Sequence, residues 1–252
     1  MKGNLLILLG LLSHIASAQF NDNFSDGNFS VNPIWNGDTS NYEIDTSYQL
    51  HLNAPAQTDT SYLSTSSVAI NNATWEFFVR MEFNPSSNNY AKIYLVSDQA
   101  NLCGGLNGYF VKVGNTADEI SLYRQDGLIE TKIIDGGDDR VDTNPVKVSI
   151  QVTRDHLGNW QLLSDTTGST NYSIEGTCFD NTYSSSSFFG LSSRYTSTRS
   201  TKFYFDNFSV SGSGFVDSIP PRLDSLLVVD SNNLSLYFNE PVDLFTAQHL
   251  NN

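Results

Sequence analysis

The run WEFFVRMEF (75–83), NPSSNN (84–89) and YAKIYLV (90–96) decides the fold. In the first segment Trp75, Phe77, Val79, Met81 and Phe83 alternate with Glu76, Phe78, Arg80 and Glu82. Successive side chains of a strand point to opposite faces, so this segment builds one apolar face and one mixed face. In the last segment Ala91, Ile93 and Leu95 alternate with Tyr90, Lys92 and Tyr94. Again an apolar face stands against a face of rings and charge. The polar link reads as a turn, which predicts a hairpin carrying all the mixed residues on one side. The predicted architecture is an all-β, two-sheet antiparallel sandwich, with the mixed face as the candidate ligand surface.

The pattern continues on both sides. Short strands are expected at 42–44, 49–53 and 62–64, behind the apolar anchors Phe24, Phe29 and Trp35. A turn-rich loop, SDQANLCGGLNG, follows residue 96. Strands are expected next at 109–113, 120–124 and 128–134, the last two joined by the hairpin signal Asp126-Gly127. Val146, Val148, Ile150 and Val152 then alternate with Lys147, Ser149, Gln151 and Thr153, and 160–164 returns the chain. Strands at 188–192 and 202–210 close the domain. So many short strands, with almost no helical periodicity, argue for a sandwich and against an α/β fold.

Of the 252 residues, 39% are hydrophobic and 12% aromatic, which supplies a sizeable core and argues against a disordered acidic chain. Lys2, the apolar run 5–12 and Ala16-Ser17-Ala18 read as an export leader cleaved after Ala18. The mature protein is therefore expected to be secreted or at the cell surface. The run is too short to span a bilayer, and no later stretch is a transmembrane candidate. The net charge of −14 repels phosphate backbones and argues against nucleic acid as a partner. Cationic ligands, divalent metals and neutral sugars remain open. Cys103 and Cys178, an even pair in an exported chain, are expected to form a disulfide. Closing so long a loop is worth roughly 4 kcal/mol in chain-entropy terms.

The chain divides into a leader (1–18), a sandwich (19–211), a Gly/Ser-then-Pro linker (212–221) and a segment (222–252) with strands expected at 222–229 and 233–238. Two strands cannot bury a core alone, so the sequence is expected to be a piece of a longer protein. VKVSIQVTRDHLGNWQLLSD (146–165) and FFGLSSRYTSTRSTKFYFDNFSV (188–210) resemble the closing strands of concanavalin A-like (laminin G-like) jelly-roll domains. WEFFVRMEFNPSSNNYAKIYLVSDQ and LNGYFVKVG are similar to the N-terminal sandwich of secreted Bacteroidota lamin-tail-domain proteins. DSIPPRLDSL and LYFNEPVD resemble the first strands of a bacterial Ig-like domain of the surface-layer type. The resemblance implies a jelly roll followed by the truncated start of an Ig-like domain, within a larger surface protein. It brings no catalytic residues with it.

Three functions fit such a sandwich. Glycan recognition or adhesion rests on the mixed face, where Phe78, Arg80, Glu82, Lys92, Tyr94 and Tyr123 would share one groove. Rings stack on sugar faces, and charged groups hydrogen-bond the hydroxyls of a glycan or cell-surface polysaccharide. The alternative is a structural spacer that presents downstream domains of the same chain, its charges paired across strands on a solvated sheet. A glycoside hydrolase is third. Glu76 and Glu82 share a face, but six residues of strand set them roughly 20 Å apart, too far for a retaining or an inverting pair. His51 and His156 read as surface residues, and no G-x-S-x-G elbow occurs. Structural calcium has two candidate places. Asp22 and Asp26 would meet Asp206 where the terminal strands pair, and Asp135, Asp138, Asp139 and Asp142 crowd the loop DGGDDRVD. Ordinary turn chemistry accounts for the same residues.

Overall fold

The computed structural model describes residues 18–214 and 221–239. Residues 1–17, 215–220 and 240–252, on which the expected leader, part of the expected linker and the end of the expected Ig-like segment fall, lie outside them. The chain forms two compact units, Met1–Phe215 and Val216–Asn252.

In the first unit the strands are β1 (Ala18–Asp22), β2 (Asn36–Gly37), β3 (Tyr42–Ile44), β4 (Leu50–Leu52), β5 (Asp59–Ser66), β6 (Asn71–Met81), β7 (Tyr90–Ser97) and β8 (Leu106–Gly114). They continue as β9 (Glu119–Gly127), β10 (Ile129–Ile134), β11 (Val146–Arg154), β12 (Asn159–Asp165), β13 (Ser173–Phe179), β14 (Phe188–Tyr195) and β15 (Phe203–Ser213). One sheet runs β13-β12-β11-β6-β15-β4-β3, with β1 also paired to β15. The other runs β10-β9-β8-β7-β14-β5-β2. The result is a two-sheet antiparallel jelly-roll sandwich, a sandwich as the alternation predicts and a jelly roll as the resemblance implies.

The inner faces are the apolar halves of the alternating strands. Trp75, Phe77 and Val79 lie beside Val148, Ile150 and Val152 in register and are buried with them. Ile93, Val111 and Leu122 form a matching buried row of the second sheet. Trp75 and Trp160 stack at 5.6 Å. At another part of the core Phe24, Trp35, Phe189 and Phe208 pack with ring centroids 5.2–6.3 Å apart. Each such aromatic pair adds about 0.5–1.5 kcal/mol beyond area burial. The Trp35 indole also donates to Asp22 Oδ2 at 2.8 Å, which ties the first strand to this group.

The expected hairpin is corrected. β6 and β7 exist, and their apolar residues face the core, but the two strands lie in different sheets. β6 pairs with β11 and β15, whereas β7 pairs with β8 and β14. The connection is a crossover with a small bridge, Ser86 to Asn89, and the buried Phe83 anchors it edge-on against Phe203 at 5.0 Å. The alternation of β7 also breaks. A bulge between Tyr94 and Val96 lets both Leu95 and Val96 enter the core. There β8 passes so close that a Cβ on Gly108 would sit 2.0 Å from the Val96 carbonyl oxygen.

The expected disulfide is corrected too. Cys103 is an exposed free thiol in the loop between β7 and β8, and Cys178 is a half-buried free thiol on β13, an edge strand of the opposite sheet. Burial pushes the Cys178 thiol up to about 11. In the second unit β16 (Leu223–Val228) and β17 (Leu234–Phe238) form an antiparallel hairpin with a register shift near Leu223. Its apolar side chains, Leu226 and Leu236 among them, stay exposed, as expected of two strands without a second layer.

Candidate functional site

Because β6 and β7 separate, the six candidate groove residues separate with them. Phe78 and Arg80 lie on β6 and Glu82 just beyond it, on the outer side of the first sheet. Lys92 and Tyr94 lie on β7, and Tyr123 on β9, on the outer side of the second. No single groove contains all six.

On the first sheet Arg80 is consumed by its neighbours. Its Nε donates to Gln49 Oε1 at 3.1 Å, and its Nη1 donates to Glu82 Oε1 at 2.7 Å. The guanidinium lies 3.6 Å over the Tyr204 ring, which stacks on His51 at 4.3 Å. The imidazole in turn contacts Glu43 and the Thr201 carbonyl. Glu76 has Gln151 and Ser209 opposite it in register, not a second carboxylate. This face is a closed polar network, the arrangement of a solvated sheet.

The second sheet is different. Register places Tyr94, Phe110 and Tyr123 side by side on its outer face, and Lys92, Lys112 and Ser121 in the next row. Leu102 and Leu106 cover the rings, so that a small second apolar cluster lies outside the sandwich. Tyr94 is only 1% exposed and donates its hydroxyl to Gln125 Oε1 at 2.9 Å. Burial raises its pKa far above the usual phenol range.

Above these rings both lysines converge on Glu130 of β10. Lys92 Nζ contacts Glu130 Oε1, and Lys112 Nζ donates to Oε2 at 3.0 Å. The lysine side chains are 12% and 11% exposed. Lys92 Nζ sits 4.6 Å from the Phe110 centroid, and Lys112 Nζ sits 4.7 Å from that of Tyr123 and 5.0 Å from that of Tyr90. A desolvated cation over a ring gains about 2 kcal/mol, which holds the amines down on the ring platform. Burial lowers the Lys92 pKa against the pull of Glu130. Burial works to raise Glu130, but the two ammonium groups outweigh it and hold the carboxyl below its usual range.

Tyr90, Lys92, Tyr94 and Glu130 of this group border a cleft of about 420 Å³. Tyr90, Lys92, Tyr94, Gln125, Glu130 and Arg194 supply its chemistry. Arg194 makes one side-chain contact, Nη1 to Thr60 Oγ1 at 3.2 Å, and has no carboxylate within ion-pair distance among the described residues. The cleft thus joins parts of five sequence neighbourhoods, at 60, 87–94, 102–104, 125–130 and 192–194. Of the residues that line or support it the sequence reading found Lys92 and Tyr94 with their neighbour Tyr123; it missed the lining residues Gln125, Glu130 and Arg194 and the supporting Phe110 and Lys112. The signal for two of these was present: Phe110 and Lys112 alternate with the core residues Tyr109, Val111 and Val113. A larger cleft of about 740 Å³ lies at one end of the first sheet, beside Arg154, Trp160, Gln161 and Phe179. The Arg154 guanidinium there is already held by the Ile70 and Asp155 carbonyls and by Asn181.

The calcium expectation meets carboxylates already engaged. Asp22 accepts from Trp35 and from the Phe24 amide, Asp26 from Asn28, and Asp206 from the Asn207 amide. Among the described residues no three His, Cys, Asp or Glu side chains are grouped to hold a metal, in the DGGDDRVD loop or elsewhere.

No family model and no curated protein matches the chain. Solved structures do. The carbohydrate binding module CBM66 from Bacillus subtilis matches with a TM-score of 0.52 at 13% identity, over 71% of this chain and 95% of that one. The exoplasmic/lumenal domain of VIP36 in its Ca2+/Man3GlcNAc-bound form gives 0.55 at 12% identity, over 79% and 90%. The carbohydrate recognition domain of Emp47p gives 0.55 at 13% identity, over 79% and 97%. At such identities the likeness is one of fold, and the fold it shows is the lectin-like jelly-roll sandwich.

Proposed function

We propose that the sandwich is a non-catalytic carbohydrate-recognition module of an exported surface protein, and that its binding site is the cleft above Tyr94. The observation that carries this reading is the composition of that cleft. The half-buried ring of Tyr90 stands beside convergent hydrogen-bonding groups, Lys92, Gln125, Ser192 and Arg194, in a concave space of about 420 Å³. The carbohydrate-binding roles stated for CBM66, VIP36 and Emp47p support it from the side of the fold. In this reading the exposed hairpin of the second unit begins an Ig-like module, and the sandwich acts within a longer chain of domains. A glycan array probed with the full chain tests the proposal. Reproducible binding to a sugar class, lost in Arg194→Ala at unchanged thermal midpoint, is expected. A second reading, a spacer that binds nothing, is favoured by the internal pairing of Lys92, Lys112 and Glu130. It predicts a blank array.

A further inference from the structure

The cleft has a sign opposite to that of the protein. The chain carries −14 overall, yet Lys92 and Arg194 line this cleft with a single carboxylate, Glu130, and Lys112 pairs with that same carboxylate from beside the cleft. Asp38 and Asp59 are the next acidic groups on this side. They act on Cys103 at the cleft rim, but neither lines the cleft. Lys132, further along β10, is already matched by Glu119 and Asp135. From the geometry we infer that the cleft selects an anionic sugar, one bearing a carboxylate or a sulfate. The inference rests on the carbohydrate reading above and narrows its ligand.

Two physical points carry it. First, the two lysine side chains are nearly nine-tenths buried and share a single carboxylate, so one positive charge has no partner of its own. A partly desolvated charge without a counter-ion is unfavourable, and a ligand anion entering the cleft would supply that counter-ion. Second, the free cation lies on the right side. In register Ser192 is opposite Lys92 and Arg194 is opposite Tyr90, so Arg194 and Lys92 are diagonal neighbours on adjacent strands. The guanidinium fork matches a planar carboxylate or a sulfate in bidentate fashion. The same sugar's apolar face would meet Tyr90, whose ring the Lys112 amine already flanks. An acidic protein surrounding a basic cleft also rejects long polyanions that cannot enter it, which separates this site from a nucleic-acid patch.

The test titrates the full-length protein with three oligosaccharides of equal length: an oligouronate, a sulfated oligosaccharide and an uncharged one. Either charged sugar is expected to bind at least about tenfold tighter than the neutral one at low salt, equivalent to ~1.4 kcal/mol. The advantage is expected to shrink as salt rises from about 50 to about 500 mM, because screening acts on exposed charge. Arg194→Ala, and as a second variant Arg194→Gln, should remove the advantage of the charged sugars over the neutral one at unchanged thermal midpoint. Glu130→Gln should strengthen charged-sugar binding. Which charged sugar binds tighter identifies the anion. If the neutral sugar binds as tightly as the charged ones, the anionic inference fails while the carbohydrate reading stands. If none of the three binds and an array is blank, both fail. If the charged sugars bind but folded Arg194 variants bind them equally well, the anion lies elsewhere and the inference fails.

Discussion

Tyr94 separates a ring that faces solvent from a ring that holds structure together. The alternation of β7 alone makes it an exposed stacking platform whose loss spares the fold. The structure makes Tyr94→Ala a folding mutation. The ring is 1% exposed, packs against Leu102, Leu106, Phe110 and Tyr123, and lies 5.0 Å from Phe110. Aromatic-to-Ala changes in cores cost about 3–5 kcal/mol. This cluster is roofed by one loop, which can settle into part of the cavity, so the low end, about 3 kcal/mol, is expected. Tyr94→Phe removes only the hydroxyl. Gln125 is held in place by its own donation to the Gly104 and Gly127 carbonyls, so its Oε1 would be left unpaired at about 1–2 kcal/mol. Urea unfolding followed by tryptophan fluorescence reads both. For a domain of this size the Ala variant should melt about 6–12 °C lower and the Phe variant about 2–8 °C lower. If Tyr94→Ala stays within about 1 kcal/mol of the parent, the cluster is not packed as described and the reasoning fails.

Gly108→Ala should abolish soluble folded protein or cost more than about 3 kcal/mol, because its Cβ would meet the Val96 carbonyl at 2.0 Å; Gly104→Ala in the nearby loop, with nothing within 4 Å, should be nearly neutral, and thermal melts of the pair check this. Asp155 is held near 2 by the Asn159 side chain and the amides of Asn159, Leu157 and Gly158, so its stabilisation is present above the ordinary carboxylate pKa and is lost as pH falls through about 2; Asp155→Asn should flatten the stability profile between about pH 4 and pH 2, and an unchanged slope would exclude that role. Both thiols should be free: iodoacetamide should label Cys103 before Cys178 in the native protein, and a reductant should leave the midpoint unchanged, whereas a Cys103–Cys178 linked peptide in a non-reduced digest would contradict the structure.

The fold class was legible because alternation is a local property. Val146 to Val152, Trp75 to Met81 and Tyr109 to Val113 each declare a buried face without help from the rest of the chain. Pairing is not local. Nothing in NPSSNN distinguishes a hairpin turn from a crossover between sheets, since both need a short polar link. β13 was illegible for another reason. It is an edge strand with Ile174 and Phe179 exposed and Gly176 packed over Ile134, so it lacks the alternation that burial imposes. The same limit governs the site. Lys92 and Tyr94 could be read from one strand, but Glu130 and Arg194 reach them only through the order β10-β9-β8-β7-β14. Tyr94 was visible and its burial was not, because Leu102 of the covering loop and Leu106 at the start of β8 come from a stretch that reads only as turns.

Sugar is proposed to bind on the outer face of the second sheet, above Tyr94. Amide chemical-shift mapping of the full chain, titrated with whichever oligosaccharide binds, tests it most directly. Shifts are expected at Tyr90, Lys92, Gln125, Glu130 and Ser192–Arg194, with the Arg80–Tyr204 network and the Arg154–Trp160 cleft of the first sheet silent. Shifts confined to Asn72, Arg154, Gln161 and Phe179, with the second sheet unmoved, would contradict it.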